Sequence, residues 1–176
     1  MTPNLDEPAG EHFTFRDLCE VGETWERLRI DNAPSEQGTY DAMRRLTKEL
    51  LDPLTHALGR PTLTYGFASA DLNRHIKSRI APALDQHGGH DLKRSGALIC
   101  DRLGQAVDLH IPGRASSEVA QFIVYHTPFD RLYFYGDDRP LHVSVGPSNK
   151  GEIHRMVPRE GGLRPLKAQR TFFDAA

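Results

Sequence analysis

Two short segments constrain this chain most: Gly104-Gln105-Ala106-Val107-Asp108-Leu109-His110 and Pro140-Leu141-His142-Val143-Ser144-Val145. Read with a period of two, each puts Val or Leu on one face, while Ala106, Asp108 and His110, or His142 and Ser144, fall on the other. That alternation marks a half-buried strand, apolar toward a core and polar toward solvent or a pocket. Two strands that turn Asp and His to one surface make a candidate metal site.

The rest of the chain supplies material to cover such strands. From Thr39 to Leu58, the residues Tyr40, Met43, Leu46, Leu50, Leu51, Leu54 and Leu58 follow a three-and-four spacing, which predicts a helix with one apolar stripe stopped by Gly59 and Pro61. Pro53 predicts a kink or a split in it, because proline removes a helix hydrogen bond and crowds the preceding turn. Thr62 to Gly66 reads as a strand. Ser69 then caps a second helix with Leu72, Ile76 and Ile80 on one face, ended by Pro82. Asp85 to Gly96 is polar and Gly-rich, with His87, His90, Lys93 and Arg94, and reads as a long loop of the functional or mobile kind. Leu98 to Asp101 suggests a short strand. Ser116 caps a helix bearing Val119, Phe122 and Ile123, and Arg131 to Tyr135 returns as a strand. Gly136-Asp137-Asp138 then turns the chain into Leu141 to Val145 as a hairpin.

At 176 residues the chain is most simply one domain. Residues 1–12 read as a disordered leader, 13–149 as the domain with a short N-terminal helical segment in which Trp25 is a core anchor, and 150–176 as an extended basic tail. The net charge of -2 gives no global reason to expect a nucleic acid or a membrane as partner. Cys19 and Cys100 are far apart and read as free thiols. No run approaches the ~20 apolar residues of a membrane span, and no secretory leader is visible, so the expectation is a cytoplasmic protein.

The order of these features resembles a known family. An Asn-x-Pro turn at Asn32 to Pro34 is followed by a long helix with Leu51-Asp52-Pro53-Leu54 and a Gly-x-Pro bend at Gly59 to Pro61. Thr64-Tyr65-Gly66-Phe67-Ala68-Ser69, Leu72-Asn73, Gly104-x-Ala106-x-Asp108, Phe129-Asp130 and His142-Val143-Ser144 then come in turn. Over roughly residues 30 to 146 this is similar to the D-Ala-D-Ala carboxypeptidase and dipeptidase branch of the zinc metallopeptidases, which share a fold with the hedgehog N-terminal domain. The resemblance implies an α+β fold: a small, mainly antiparallel sheet with helices packed on one side.

In that family a His and an Asp in the pattern Ser-x-His-x-x-Gly-x-Ala-x-Asp, with a late His, hold zinc. Carried over, the Asp is Asp108, the late His is His142, and the first His position falls on Asp101. Asp101, Asp108 and His142 are therefore the expected ligands, and this donor set suits zinc, manganese or iron. The family's general base precedes the late His by three residues, where this chain has Arg139. Asp138 beside it is among the nearest acids, so Asp138 and Arg139 are the candidate catalytic positions. The family's substrate-binding Arg falls on Ala68. Without base and Arg, ordinary peptide hydrolysis is not expected.

His110, two residues beyond Asp108, either lines the pocket or borders it. Arg131, Tyr133 and Tyr135 share a strand face that can bind an anion or stack a base or sugar, and Ser144 shares the face of His142. His90 reads as a solvated loop residue and Cys100 as an inert thiol, while His12, His56 and His154 read as isolated surface residues. Two functions remain in view. One is a divergent metal-dependent hydrolase of a peptide or amide. The other is an inactive descendant that binds a small molecule, a peptide, an anionic ligand such as nucleic acid, or a protein partner.

Overall fold

The computed structural model describes residues 3–76 and 84–174. The chain is α+β, with one six-stranded, mostly antiparallel sheet. The first helices are α1 (Phe15–Cys19), α2 (Glu23–Leu28) and α3 (Gln37–Leu46). A π-helical turn (Thr47–Leu51) and α4 (Asp52–Leu58) continue from α3 without a break. Next come β1 (Thr62–Tyr65), α5 (Ala70–Asn73), a 3₁₀ turn (Gln86–Gly88) and β2 (Gln105–His110). They are followed by α6 (Ser116–His126), β3 (Arg131–Phe134), β4 (Leu141–Val145), β5 (Glu152–Arg159), β6 (Gly162–Ala168) and a last 3₁₀ turn (Arg170–Phe173). The spatial order is β1-β2-β4-β3-β5-β6, with β3 and β5 the parallel pair.

The expected long helix is present, and its irregularity falls where proline predicts one. Pro53 sits in the first turn of α4, and the wider π turn just before it absorbs the hydrogen bond that proline cannot make. Met43, Leu46, Leu50, Leu51 and Leu54 are fully buried against Val107 and Leu109 of β2, Leu141, Val143 and Val145 of β4, Leu132 of β3 and residues of α1 and α6. Each such side chain removed from water contributes roughly 1.5 to 3 kcal/mol, which makes this one-sided layer the main source of stability. Trp25 is buried as expected, in a smaller cluster with Ala68 and Leu72.

Both ends of the chain differ from expectation. The leader is ordered from Pro3 onward. Ala9 is buried, Pro8 bridges Thr14, and the amides of Glu11 and His12 donate to the Asp52 carboxylate at 2.9 and 3.2 Å. The expected tail is the β5–β6 hairpin: Ile153 and Phe173 enter the core, Gln121 Nε2 donates to the Phe173 carbonyl, and Tyr125 donates to Asp174. Its Pro and Gly content is the reason it reads as extended, but Ile153 still enters the core and Met156, on the other face of β5, is also buried. Leu98 forms only a single bridge to Leu92, so the short strand expected over Leu98 to Asp101 is absent. The helix expected from Ser69 starts as read, with the Ser69 hydroxyl accepting the Leu72 amide, but α5 ends at Asn73, short of Ile76; Ile80 and Pro82 lie outside the described residues.

Candidate metal centre

On the sheet face opposite the helices, antiparallel pairing sets Asp108 of β2 directly across from His142 of β4, with Tyr65 on the other side of Asp108 and Tyr133 on the other side of His142. The alternation in the sequence thus produces one polar row across four strands. The third member of the group is His87, from the 3₁₀ turn. His142 Nδ1 lies 2.8 Å and His87 Nε2 3.2 Å from Asp108 Oδ1, and the two ring nitrogens lie 3.2 Å from each other. A tetrahedral zinc with bonds of about 2.0 to 2.1 Å holds its ligand atoms roughly 3.3 Å apart, so the three spacings fit one such ion.

The tautomers point the same way. His87 Nδ1 donates to the Gly66 carbonyl at 2.6 Å, which leaves Nε2 of the neutral ring as a lone pair aimed at the other two donors. Three electron-rich atoms then share a space that needs either a proton or a metal ion. In the metal-free protein the proton is favoured. Burial alone would lower the His87 pKa, but the nearby charges of Asp108 and Asp85 and its hydrogen bonds raise it above the ordinary value. Burial likewise works to raise the Asp108 pKa, yet the neighbouring His87 and the hydrogen bonds from both rings hold it well below the usual carboxylate range.

The position of His87 is fixed from several sides. Gln86 is fully buried and accepts from Ser144 Oγ at 2.7 Å, while its amide donates to the Leu103 carbonyl at 2.7 Å and to Asp130 Oδ2 at 3.0 Å. Asp130 also receives Arg102 at 2.9 Å and the Lys150 amide at 3.0 Å, so the Phe129-Asp130 pair is a structural anchor. Gly66, whose carbonyl accepts from His87, is packed closely against α1: a Cβ there would sit 2.1 Å from the Leu18 oxygen. Gly104 is required for a similar reason, since its φ is +88° and a Cβ would sit 2.1 Å from the Val145 oxygen. The remainder of the loop is tied as well. Asp91 accepts from Ser35, Glu36 and Thr39 at the start of α3, and His90 accepts from the Gly104 amide at 3.2 Å. His90 is therefore half-buried and bonded, not solvated.

The three donor atoms open into a cavity of about 300 Å³. Tyr65, Tyr133 and Tyr135 line it, with Thr24, Glu23 and Asp85 contributing polar groups. Burial pushes the Tyr133 and Tyr135 phenols up in pKa, so both remain hydrogen-bond donors at neutral pH. The Tyr65 ring lies 4.0 Å from the His87 ring and the Tyr133 ring 5.3 Å from that of His142, which walls the imidazoles on two sides.

Of the residues expected at the site, Asp108 and His142 are brought together and Tyr133 and Tyr135 face the same cavity. Asp101 is corrected: it lies exposed in a turn four residues before β2 begins, outside the strand alternation that would have aimed it inward. Asp138 and Arg139 are exposed on the β3–β4 turn and face a separate groove that also contains His110, so none of the three lines the cavity beside the donor atoms. Ser144 is fully buried and serves Gln86. Arg131 is buried, bonded to Glu152 at 3.0 Å and placed over the Tyr133 ring, and it does not line the cavity. Cys100 is buried, and the hydrophobic surroundings raise its pKa, which suits an inert thiol. His87 is the residue that periodicity could not find. Comparison of this chain with family models, curated proteins and solved structures finds no match.

Proposed function

We propose that this protein is a metal-dependent hydrolase of peptide or amide bonds, with zinc held by His87, Asp108 and His142. The observation that carries the reading is the convergence of two imidazole nitrogens and a carboxylate oxygen, within 3.2 Å of one another, at a cavity large enough for a small substrate. Three protein ligands leave a fourth position for water, the arrangement of catalytic rather than structural zinc. A zinc ion there would lower the pKa of bound water and polarise a substrate carbonyl.

The chain's own groups have distinct parts. The Gly66 carbonyl orients His87, and Gln86 with Ser144 holds the turn that carries it. Glu23 and Asp85 are the carboxylates that face the cavity besides Asp108 among the described residues, so they are the groups positioned to take a proton. Tyr133 and Tyr135 are phenols able to donate to an oxygen on which negative charge develops.

The similarity to the D-Ala-D-Ala peptidases gains support from His87. It supplies the His that the family pattern requires and Asp101 cannot, with Asp85-Gln86-His87 standing for Ser-x-His. Seventeen positions then separate that His from Gly104 where the pattern has three, which makes residues between them an insertion. The hydrolase reading is tested by loading the protein with zinc and assaying release of the terminal residue from a panel of short peptides, including ones ending in D-Ala-D-Ala. Turnover that disappears in His142→Ala and falls steeply in Glu23→Gln or Asp85→Asn supports it. Zinc-loaded protein that turns over none of the panel favours the alternative of a non-hydrolytic ligand-binding descendant.

A further inference from the structure

A second group of metal-ligating atoms lies on the helix layer, on the opposite side of the sheet from the cavity. His12 Nε2 and His56 Nε2 are 3.0 Å apart, and Glu11 Oε1 lies 3.3 Å from His56 Nε2 and 3.8 Å from His12 Nε2. The two rings are nearly perpendicular, at 79°. These edges bracket the roughly 3.3 Å expected between ligands of one tetrahedral zinc.

The backbone around the group is built to hold it there. Asp52, buried in the first turn of α4, accepts the amides of Glu11 and His12, and His56 stands one helical turn further along the same helix. Thr47 donates to the Ala9 carbonyl at 2.5 Å. Gly10 fits against both residues, since a Cβ on it would meet Asp52 Oδ2 at 2.6 Å and the Thr47 Cβ at 2.7 Å. Two of the three ligands therefore sit on a segment pinned at successive residues, and the third on the helix that pins it. Little side-chain and no backbone rearrangement is needed for all three to reach one ion.

We infer that Glu11, His12 and His56 form a surface site for a divalent cation of the zinc class, with the fourth position open to water. A bound ion fastens the N-terminal segment to α4. Two neutral imidazoles and one carboxylate are donors that zinc, nickel and copper accept and that calcium and magnesium do not prefer. This site is independent of the one proposed for hydrolysis and stands or falls separately.

The test is zinc titration of the full-length chain, following both stoichiometry and the amide resonances of residues 9–12. Wild type should take up about two equivalents, and His142→Ala about one, with that remaining equivalent shifting the Glu11 and His12 amides. Adding His12→Ala or His56→Ala to His142→Ala should abolish it, while Glu11→Gln should weaken it. His12 and His56 are partly or largely exposed, so their substitution leaves the fold in place, and His12→Ala or His56→Ala alone should remove one equivalent from wild type even if His142→Ala were to unfold. Zinc uptake unchanged by His12→Ala and by His56→Ala, or zinc that leaves the amides of residues 9–12 unmoved, overturns the assignment. In that case the two rings make a hydrogen bond and nothing more.

Discussion

Replacing Gln86 by Leu tests how the centre is held, because it removes polar atoms at nearly constant volume one residue from His87. Gln86 is fully buried and makes three hydrogen bonds, to Ser144, Leu103 and Asp130, at 2.7, 2.7 and 3.0 Å. At a net 0.5 to 1.5 kcal/mol each, and more for the one to a carboxylate, the loss is about 3 kcal/mol. Against the 5 to 15 kcal/mol typical of a domain that is a large fraction. Asp130 retains Arg102 and the Lys150 amide, so the damage is confined to the turn that carries His87. Urea unfolding of the metal-free protein should show the stability drop as a lower midpoint at unchanged slope. Zinc affinity, measured where both proteins are folded, should fall roughly 10- to 100-fold, as it does when the groups orienting metal ligands are removed. Stability within about 0.5 kcal/mol of wild type together with unchanged zinc affinity would refute the claim that Gln86 positions the site, because substitutions that touch nothing structural stay within that range.

Other outcomes follow from the same contacts. The pKa of His87 is raised in the metal-free fold, so its contribution to stability is fully present below the ordinary imidazole value of 6.5 and is lost as pH rises through the elevated folded value. Over the same window the proton stops competing with zinc, so zinc affinity climbs while metal-free stability declines; parallel urea and zinc titrations across this range check both signs. Asp91→Ala removes the acceptor for Ser35, Glu36 and Thr39 at the start of α3 and should cost about 2 to 4 kcal/mol in urea unfolding. Truncation after residue 149 deletes β5, β6 and Phe173, and should yield a protein without a cooperative thermal transition rather than a trimmed native domain.

The fold was legible where one physical period dominated. Leu46, Leu50 and Leu54 repeat on a helix face, and Val107, Leu109, Leu141 and Val143 alternate on strands, so both kinds of element and the polar faces carrying Asp108 and His142 could be read directly, while the register that sets the two opposite each other is seen only in the sheet. The β5–β6 hairpin could not, because Pro158, Pro165 and the Gly161-Gly162 turn mask its few inward residues. His87 escaped for a different reason. It sits on a single 3₁₀ turn without periodicity, and it reaches the site only because Gln86 and Gly66 make long-range contacts that no local pattern encodes. Its available signal was the sequence Asp85-Gln86-His87-Gly88-Gly89: a His followed by two glycines, in a loop too long for a simple connection. Asp101 was drawn in by its place in the pattern of the resembled family, and a position counted back from Asp108 says nothing of where a turn outside β2 points its side chain. His12 and His56, separated in sequence, meet only through the Asp52 contacts.

The most direct test of the metal centre is anomalous diffraction at the zinc absorption edge from crystals grown with zinc. The expected result is a peak bonded at about 2.0 to 2.2 Å to His87 Nε2, Asp108 Oδ1 and His142 Nδ1 together, with Asp101 remote from it. No peak at this triad in crystals that contain zinc, or a peak there that His87 does not ligate, would contradict it.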